Sequence, residues 1–279
     1  MAAAIAHLGP RGTFSEQAAL AYQTWLQQQG QELTLTAYPS ILQAIQAVDQ
    51  AAVALAIVPV ENSIEGSVAV TLDTLWQLEA LRIQQALVLP IRHNLITHAQ
   101  SLEQLQTIYS HPQALGQCQQ WISDHCPQAT LVPMRSTTEA LSYLEKADTA
   151  AIASAWAADL YQLPVLAHTI NDQPDNCTKF WILGKTESAQ GAQTSLAFSL
   201  PINAPGALLR PLEIFAQTNI NLSRIESRPT KRSLGEYLFF LDLEANLAAE
   251  QTQESLQQLR NCTETLKLFG SYATISAGT

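Results

Sequence analysis

Across residues 3–183 the chain alternates short apolar runs with segments of helical periodicity. Residues 53–60 are apolar almost throughout, as expected of a strand that is buried on both faces of a parallel sheet. The segment after Ser40 instead repeats its apolar residues at a spacing of about 3.6, which is typical of a helix packed on one face. This alternation predicts an α/β fold of two doubly wound lobes with a cleft between them.

The alternation stops at a polar segment without periodicity, residues 186–193, which we interpret as a linker. The predicted domains are therefore residues 1–185, which form the two lobes, and residues 194–279, whose pattern differs. In the second domain we expect helices at 206–217 and 253–266 within the order βαββαβ, that of a ferredoxin-like α+β module. Such a module leaves a sheet edge and a face uncovered, so we expect it to form a homodimer or a homotetramer.

The composition limits the partners of the chain. Its net charge of −10 argues against nucleic acid, because a phosphate backbone needs a basic surface, although a local cationic pocket can still bind a small anion. No apolar run reaches about 18 residues, and the N-terminus lacks the charged segment of a signal peptide, so we expect a cytoplasmic protein without a membrane span. The cysteines form no C-x-x-C pair, which favours reduced thiols, and we expect no metal and no cofactor.

Two groups of polar residues adjoin the apolar strands. Glu61, Asn62 and Ser63 follow residues 53–60, and polar residues at the carboxyl end of such a strand lie where α/β folds bind ligands. Residues 176–180, Asn-Cys-Thr-Lys-Phe, place an amide, a thiol, a hydroxyl and a positive charge before the next apolar strand. This combination can hold a small anion next to a proton donor, although a turn before an edge strand explains the same residues.

Six segments, taken in order, resemble prephenate dehydratase with a C-terminal phenylalanine-binding ACT domain. They are residues 9–15 (GPRGTFS), 58–66 (VPVENSIEG), 111–118 (HPQALGQC), 176–180 (NCTKF), 205–208 (PGAL) and 226–229 (ESRP). Each match is short, but together they cover essentially the whole chain and fall on predicted loops. The resemblance implies a stand-alone enzyme with a two-lobed, periplasmic-binding-protein-like catalytic domain and a ferredoxin-like ACT regulatory domain.

The implied reaction is the decarboxylating dehydration of prephenate to phenylpyruvate in L-phenylalanine biosynthesis, with feedback inhibition by phenylalanine. The resemblance makes Thr178 the donor to the departing hydroxyl, because hydroxide is a poor leaving group. The implied catalytic residues are Thr178, Glu61, Asn62 and Gln113. The implied substrate-binding residues are Arg11, Thr13, Ser63, Asn176, Lys179 and Phe180, and the implied phenylalanine site comprises Gly206, Ala207, Leu208, Glu226, Ser227 and Arg228.

Two of these segments leave a role open. Family members usually have arginine after the catalytic threonine, and Lys179 keeps that charge without the two-pronged geometry of a guanidinium. His111 is a candidate general base, but a histidine followed by proline is also typical of a helix entry.

Two rival functions stay open on the sequence. Arogenate dehydratase performs the same chemistry on the amino analogue of prephenate, and no residue in the sequence decides between the two substrates. A two-lobed α/β domain also describes solute-binding proteins, so an amino-acid sensor without catalysis is the other alternative. A protein that only binds its ligand does not need Thr178, Asn62 and Gln113 as a set, and we therefore favour an enzyme.

Overall fold

The computed structural model describes residues 2–188 and 190–277. Four positions of the predicted domains and linker, Met1, Ala189, Gly278 and Thr279, lie outside the described residues. Within the described part of the chain, no helix is both long enough and apolar enough to cross a membrane.

The first lobe begins at the N-terminus. It contains β1 (Ala2–Leu8), α1 (Phe14–Gln28), β2 (Thr34–Tyr38), α2 (Ile41–Asp49), β3 (Val53–Asn62), β4 (Gly66–Ser67), α3 (Ala69–Gln77) and β5 (Arg82–Pro90). Thr13 and Ser40 each accept a backbone hydrogen bond and so cap α1 and α2, as their position before an apolar periodic segment indicates. The sequence patterns did not predict α3, whose N-cap residue Val68 makes no side-chain hydrogen bond.

The second lobe follows β5. It contains β6 (Asn94–Ile96), β7 (Thr107–Ser110), α4 (Pro112–Gly116), α5 (Gln119–His125), β8 (Thr130–Pro133), β9 (Thr149–Ala153), α6 (Ala155–Tyr161) and β10 (Val165–Ala167), with 3-10 helices at Leu102–Gln104 and Glu139–Tyr143. The Ser136 hydroxyl accepts a hydrogen bond from the Glu139 amide, so this residue opens a helical segment as its spacing indicates. The chain then returns to the first lobe as β11 (Cys177–Gly184).

The two lobes have separate sheets. The second lobe has the strand order β10-β6-β9-β7-β8, and the first lobe has the order β2-β1-β3-β11-β5, with β4 paired to β3. β1 runs parallel to β2 and β3, whereas β11 runs antiparallel to β3 and β5. The carboxyl ends of β1 and β3 therefore lie beside the start of β11. Ligands of α/β folds bind at the carboxyl ends of the strands.

The C-terminal domain has the predicted order βαββαβ. Its elements are β12 (Gln193–Ser199), α7 (Leu209–Gln217), β13 (Leu222–Pro229), β14 (Tyr237–Leu243), α8 (Glu250–Arg260) and β15 (Thr265–Ser276). The prediction of a helix to residue 266 was wrong, because Leu266 lies on β15, paired with Phe198 of β12. The end of β15 pairs in parallel with β5, so one sheet runs through the first lobe and the C-terminal domain. The predicted domain limits at residues 185 and 194 stay predictions.

The two faces of β11 belong to different hydrophobic cores. Phe180 packs in a core with Tyr22 of α1, whereas its neighbour Trp181 packs in a core with Phe240 of the C-terminal domain. Successive side chains of a strand point to opposite faces, so β11 has one face toward α1 and the other toward the C-terminal domain.

Candidate active site

A cleft of about 1000 Å³ lies between the two lobes. The first lobe lines it with the loop after β1, the end of β3, β4 and the start of β11, and the second lobe with the start of α4 and residues 135–139. Five residues that the sequence predicted for the site line this cleft, namely Thr13, Asn62, Gln113, Thr178 and Phe180.

Thr178 and Asn62 are directly paired in the ladder between β11 and β3. Asn62 Nδ2 donates a hydrogen bond to Thr178 Oγ1 at 3.0 Å, and Thr178 is only 8% exposed. The Asn62 side-chain oxygen accepts hydrogen bonds from the amides of Ile64 and Glu65 at 3.0 Å each, which fixes the orientation of its amide group. Since Thr178 Oγ1 accepts from Asn62, its own hydrogen remains for donation to a group in the cleft.

Buried amides continue this network from Asn62. Asn62 Nδ2 also donates to Asn176 Oδ1 at 2.9 Å, and Asn176 Nδ2 donates to Gln117 Oε1 at 2.8 Å. The same Gln117 oxygen lies 3.0 Å from His93 Nε2, and this ring nitrogen carries the hydrogen because an amide oxygen only accepts. Burial lowers the pKa of His93, so the ring is neutral at pH 7. Asn176, which the sequence predicted to bind substrate, is buried in this network and is not among the cleft-lining residues.

Three further polar residues near the cleft have structural contacts. Ser63 Oγ accepts a hydrogen bond from the Cys177 amide at 3.0 Å and so ties the end of β3 to the start of β11. The His111 ring accepts a hydrogen bond from the Gln113 amide at the start of α4, which is the helix-entry position that its following proline indicates. Cys177 is a free thiol, and among the described residues no group of three metal-binding side chains is placed to hold an ion.

The loop after β1 is held by contacts with Glu16 of the helix that follows it, α1. The Glu16 carboxylate accepts a hydrogen bond from the Gly12 amide at 2.6 Å and lies 3.6 Å from Arg11 Nε. Arg11 has a side chain that is 70% exposed and does not line the cleft, whereas Thr13 caps α1 and lines it. Gly12 has a φ of +84°, and a Cβ there would lie 2.8 Å from Thr138, so only glycine permits this close approach of the two lobes.

Lys179 and Glu61 lie on the face of the sheet that is directed away from the cleft. They are paired with each other, next to Thr178 and Asn62, so the alternation of side chains places them on the opposite face. Lys179 Nζ lies 3.0 Å from Asp242 Oδ2 in the C-terminal domain. Neither residue is among those that line the cleft, and the catalytic role of Glu61 and the substrate-binding role of Lys179 stay predictions.

Gly206, Ala207 and Leu208, the first part of the predicted phenylalanine site, form the turn before α7. The Ala207 amide donates to the Ala204 carbonyl at 3.0 Å, and Gly206 has a φ of +81°. A Cβ on Gly206 would meet no atom within 4 Å, so there is open space beside this residue.

Glu226, Ser227 and Arg228, the second part, lie on β13 beside the first lobe. Glu226 accepts a hydrogen bond from Ser67 at 3.0 Å, and Arg228 forms a two-point ion pair with Asp73 of α3, at 3.1 Å for each contact. Ser227, between them, is exposed. The two charged side chains of the predicted phenylalanine site thus contact the first lobe of the same chain.

Sequence reasoning missed several residues of the site, chiefly Gln117, His93, Glu65 and Arg135. Gln117 belongs to the segment HPQALGQC, which contains two glutamines four residues apart, and the prediction chose the first of them, Gln113. Gln117 Nε2 donates to Glu65 Oε1 at 3.2 Å, whereas Arg135 is the one lysine or arginine that lines the cleft among the residues described. No motif in the sequence pointed to Arg135.

A family model for prephenate dehydratase matches residues 5–188. The chain belongs to the prephenate dehydratase family. A second family model, for the ACT domain, matches residues 194–261, and the C-terminal domain is called the ACT domain below. The predictions of a prephenate dehydratase with an ACT domain, and of an enzyme of the lyase class, are therefore confirmed.

Relatives match this family member along nearly its whole length. Prephenate dehydratase of Lactococcus lactis subsp. lactis is 36% identical over 283 residues, which span 98% of this chain and 99% of the relative. The solved structure of prephenate dehydratase from Arthrobacter aurescens in complex with L-Phe has a TM-score of 0.87 and 33% identity, and the match covers 97% of this chain and 90% of that one.

One similar structure has a different activity. GqqA, described as a novel type of quorum quenching acylase, has a TM-score of 0.82 and 26% identity, and the match covers 97% of this chain and 98% of that one. The same architecture therefore serves more than one chemistry, so the residues of the cleft must carry the argument for the reaction of this prephenate dehydratase family member.

Proposed function

We propose that this enzyme converts prephenate to phenylpyruvate in the cleft between its lobes, with Thr178 as the donor to the departing hydroxyl. One observation carries this proposal: Thr178 lines the cleft, and its Oγ1 atom accepts a hydrogen bond from Asn62 Nδ2 at 3.0 Å. The threonine hydrogen is then the one that faces the substrate.

The reaction breaks two bonds of the substrate and leaves an aromatic ring. The bond between the ring and its carboxylate breaks, and the electron pair of that bond moves into the ring as carbon dioxide departs. The bond to the hydroxyl oxygen breaks on the other side of the ring, and the oxygen leaves with its electron pair and gains a proton from solvent to form water. Because threonine is a very weak acid, Thr178 donates a hydrogen bond to the developing hydroxide rather than a free proton.

The amides behind Thr178 hold its hydroxyl in one orientation. Asn62 donates to Asn176, Asn176 donates to Gln117, and His93 donates to the same Gln117 oxygen, so each contact has a defined direction. A donor that is fixed before the reaction begins needs no reorganisation in the transition state. The amides and the neutral imidazole carry no negative charge themselves, and the Glu65 carboxylate accepts a hydrogen bond from Gln117 Nε2 at 3.2 Å.

The two carboxylates of prephenate require a cation in the cleft, and we assign this role to Arg135. Among the described residues, it is the lysine or arginine that lines the cleft. The acidic side chains of Glu65 and Glu139 line the same cleft. The Arg135 side chain is exposed, so it can turn toward a ligand without breaking a buried contact. A guanidinium binds a carboxylate through two parallel hydrogen bonds, which gives orientation as well as affinity.

The ACT domain is assigned the binding of L-phenylalanine as an inhibitor, at residues 206–208 and 226–228. The relative from Arthrobacter aurescens was solved in complex with L-Phe, which supports this effector. The finer assignment of the binding residues rests on the PGAL and ESRP segments of the sequence.

A homodimer through the ACT domain is the assembly that we propose. Large apolar side chains are exposed on this domain, namely Ile202, Leu209, Ile225, Leu234 and Tyr237, and Leu234 is fully exposed. Exposed apolar side chains grouped on one small domain are typical of a surface that a second copy covers. Light scattering of the purified protein decides between a dimer, a tetramer and a monomer.

The decisive test is a turnover assay of the purified protein with prephenate and, separately, with arogenate, each with and without millimolar phenylalanine. We expect phenylpyruvate from prephenate, and suppression of that activity by phenylalanine. Phenylalanine formed from arogenate alone would keep the role of Thr178 and change the substrate. No product from either compound would overturn the proposal and leave a protein that only binds an amino acid.

A further inference from the structure

Asp242, on β14 of the ACT domain, is 1% exposed and lies beside two cations from different domains. Its Oδ2 atom is 3.0 Å from Lys179 Nζ of β11 and 3.2 Å from Arg224 Nε of β13. Ser195 donates a hydrogen bond to its other oxygen at 2.5 Å. Burial alone would raise the pKa of Asp242, but Arg224 and Lys179 hold that pKa below its usual value, so the carboxylate is ionised.

Lys179 lies at an irregularity in the pairing between β11 and β3. It pairs with Glu61, whereas the next residue, Phe180, pairs with Pro59, so β3 carries one extra residue at this point. The irregularity separates Thr178 from the rest of the ladder with β3, whereas the ladder with β5 is unbroken from Cys177 to Ile182. A contact that holds Lys179 in place therefore also holds the short segment of β11 that carries Thr178.

The cluster around Asp242 contacts β11 at a second point. The Arg224 guanidinium carbon lies 5.2 Å from the centre of the Trp181 ring, and Trp181 is two residues beyond Lys179 on the same face. The ACT domain thus contacts β11 on both sides of the irregularity, on the face opposite to the cleft.

The ACT domain also contacts the strand on the other side of β3. Ser67 of β4 donates to Glu226 at 3.0 Å, lines the cleft, and pairs with Glu61. Glu61 therefore lies between Lys179 and Ser67 in the sheet. Both strands that flank the end of β3 are tied to the ACT domain by side-chain contacts.

We propose that Lys179 is a positioning residue, and that its pairing with Asp242 lets the ACT domain hold Thr178 in its working orientation from the opposite face of β11. The inference rests on the proposed reaction at Thr178. It makes the ACT domain part of the support of the active site. The effect of phenylalanine binding to that domain is then transmitted to the active site through β11, the strand that carries Thr178.

The test compares full-length Lys179→Met and Lys179→Arg with the wild type in kcat, in KM for prephenate and in inhibition by phenylalanine. Methionine leaves Asp242 paired with Arg224, so no buried charge loses its last partner and we expect the variant to fold. We expect kcat to fall about tenfold and KM to change less than about twofold. The substitution removes a contact that orients Thr178, but it removes no contact with the substrate. Phenylalanine should inhibit the methionine variant about tenfold more weakly.

The arginine variant tests rescue. Arginine at position 179 keeps the positive charge and reaches the same carboxylate, so kcat should stay within about threefold of the wild type. Ser195→Ala removes one donor to Asp242 without changing any charge or any residue of the catalytic lobes, and a smaller fall in kcat is expected. This milder variant keeps the proposal testable if Lys179→Met does not fold.

Lys267→Met is the matched control. Lys267 is a buried lysine of the same interface, and its Nζ donates to the carbonyl oxygens of Trp76 and Leu78 at 3.0 and 2.6 Å, at the end of α3. Its loss loosens the interface without touching β11. Its kcat should therefore stay within about twofold of the wild type even if its melting temperature falls.

Three outcomes would overturn the proposal. A raised KM with unchanged kcat in Lys179→Met would mean that Lys179 binds the substrate directly. An equal loss of kcat in Lys179→Met and Lys267→Met would mean that the interface as a whole supports the site. A lower melting temperature with unchanged kinetics and unchanged inhibition would leave the pair a purely structural role. If the wild type itself formed no phenylpyruvate, this result would contradict the proposed reaction and not the role of Lys179.

Discussion

Asn62 Nδ2 and Thr178 Oγ1 lie 3.0 Å apart on residues that are directly paired in neighbouring strands. The donor and the acceptor are thus positioned by the sheet itself, and the loop after β3 only fixes the rotation of the Asn62 amide. Sites built on strands hold their geometry more closely than sites built on loops. The second lobe adds Gln117 and Arg135 to the lining of the same cleft.

Thr178→Val should lower kcat for phenylpyruvate formation by about two to four orders of magnitude, the usual range for loss of a proton or hydrogen-bond donor. Valine keeps the shape of threonine, and Asn62 Nδ2 still has Asn176 Oδ1 as an acceptor, so the fold should persist. Thr178→Ser restores the hydroxyl and should recover most of the activity. Steady-state kinetics and thermal unfolding of both variants check this prediction.

Thr71→Val is the control for this substitution. The Thr71 hydroxyl is buried and donates to the Pro59 carbonyl at 2.6 Å, but Thr71 does not line the cleft. We expect a lower melting temperature with normal kcat. Near-normal kcat in Thr178→Val would contradict the assignment of the donor.

Gln117→Leu should lower both the melting temperature and kcat. The substitution leaves His93 Nε2 and Asn176 Nδ2 without their common acceptor, and each buried group left unpaired costs about 1–3 kcal/mol. Gln113→Leu is the comparison, because Gln113 lines the cleft and was the glutamine predicted from the sequence. A larger fall in kcat for Gln113→Leu than for Gln117→Leu would favour the sequence-based assignment over the network in the structure.

His93 makes stability depend on pH. Its pKa is lowered by burial in the folded protein, whereas an unfolded histidine has a pKa of about 6.5. Between these two values the unfolded chain binds more protons, so stability rises with pH. The contribution of His93 is therefore complete above about pH 6.5 and is lost as the pH falls toward the folded pKa.

The corresponding measurement is the melting temperature between about pH 5 and pH 8. We expect a fall on the acid side for the wild type and a shallower fall for His93→Asn. His125→Asn, at an exposed position on α5, is the comparison for the replacement of a histidine outside this network. Equal slopes for the wild type and His93→Asn would show that other groups cause the acid sensitivity.

The strands and most helices were predictable because local apolar spacing determines them, and the exceptions depend on distant contacts. α3 has no side-chain cap, but Arg228, 155 residues away, binds its Asp73 and Lys267 binds its last carbonyls. α8 ends earlier than the spacing of its leucines suggests. There the Thr263 hydroxyl donates to the Leu259 carbonyl at 2.9 Å, which competes with continued helix.

The active site was predictable to the extent that strand geometry determines it. Thr178 and Lys179 are consecutive residues of a strand, so their side chains point to opposite faces and only one can face the cleft. The sequence thus contained the reason why Lys179 contacts the ACT domain, although its charge suggested a substrate carboxylate. Arg135 was not predictable, because its loop reaches the cleft only through the packing of one lobe against the other.

Arg135→Gln should raise KM for prephenate about tenfold with kcat changed less than about twofold, because a carboxylate away from the reacting bonds is bound equally in the ground and transition states. The KM of the wild type should also rise with ionic strength, and that of the variant less so. Arg11→Gln is the matched control, since Arg11 is 70% exposed and lies beside Glu16 outside the cleft. A higher KM for Arg11→Gln with a normal KM for Arg135→Gln would place the substrate carboxylate at the loop after β1 instead.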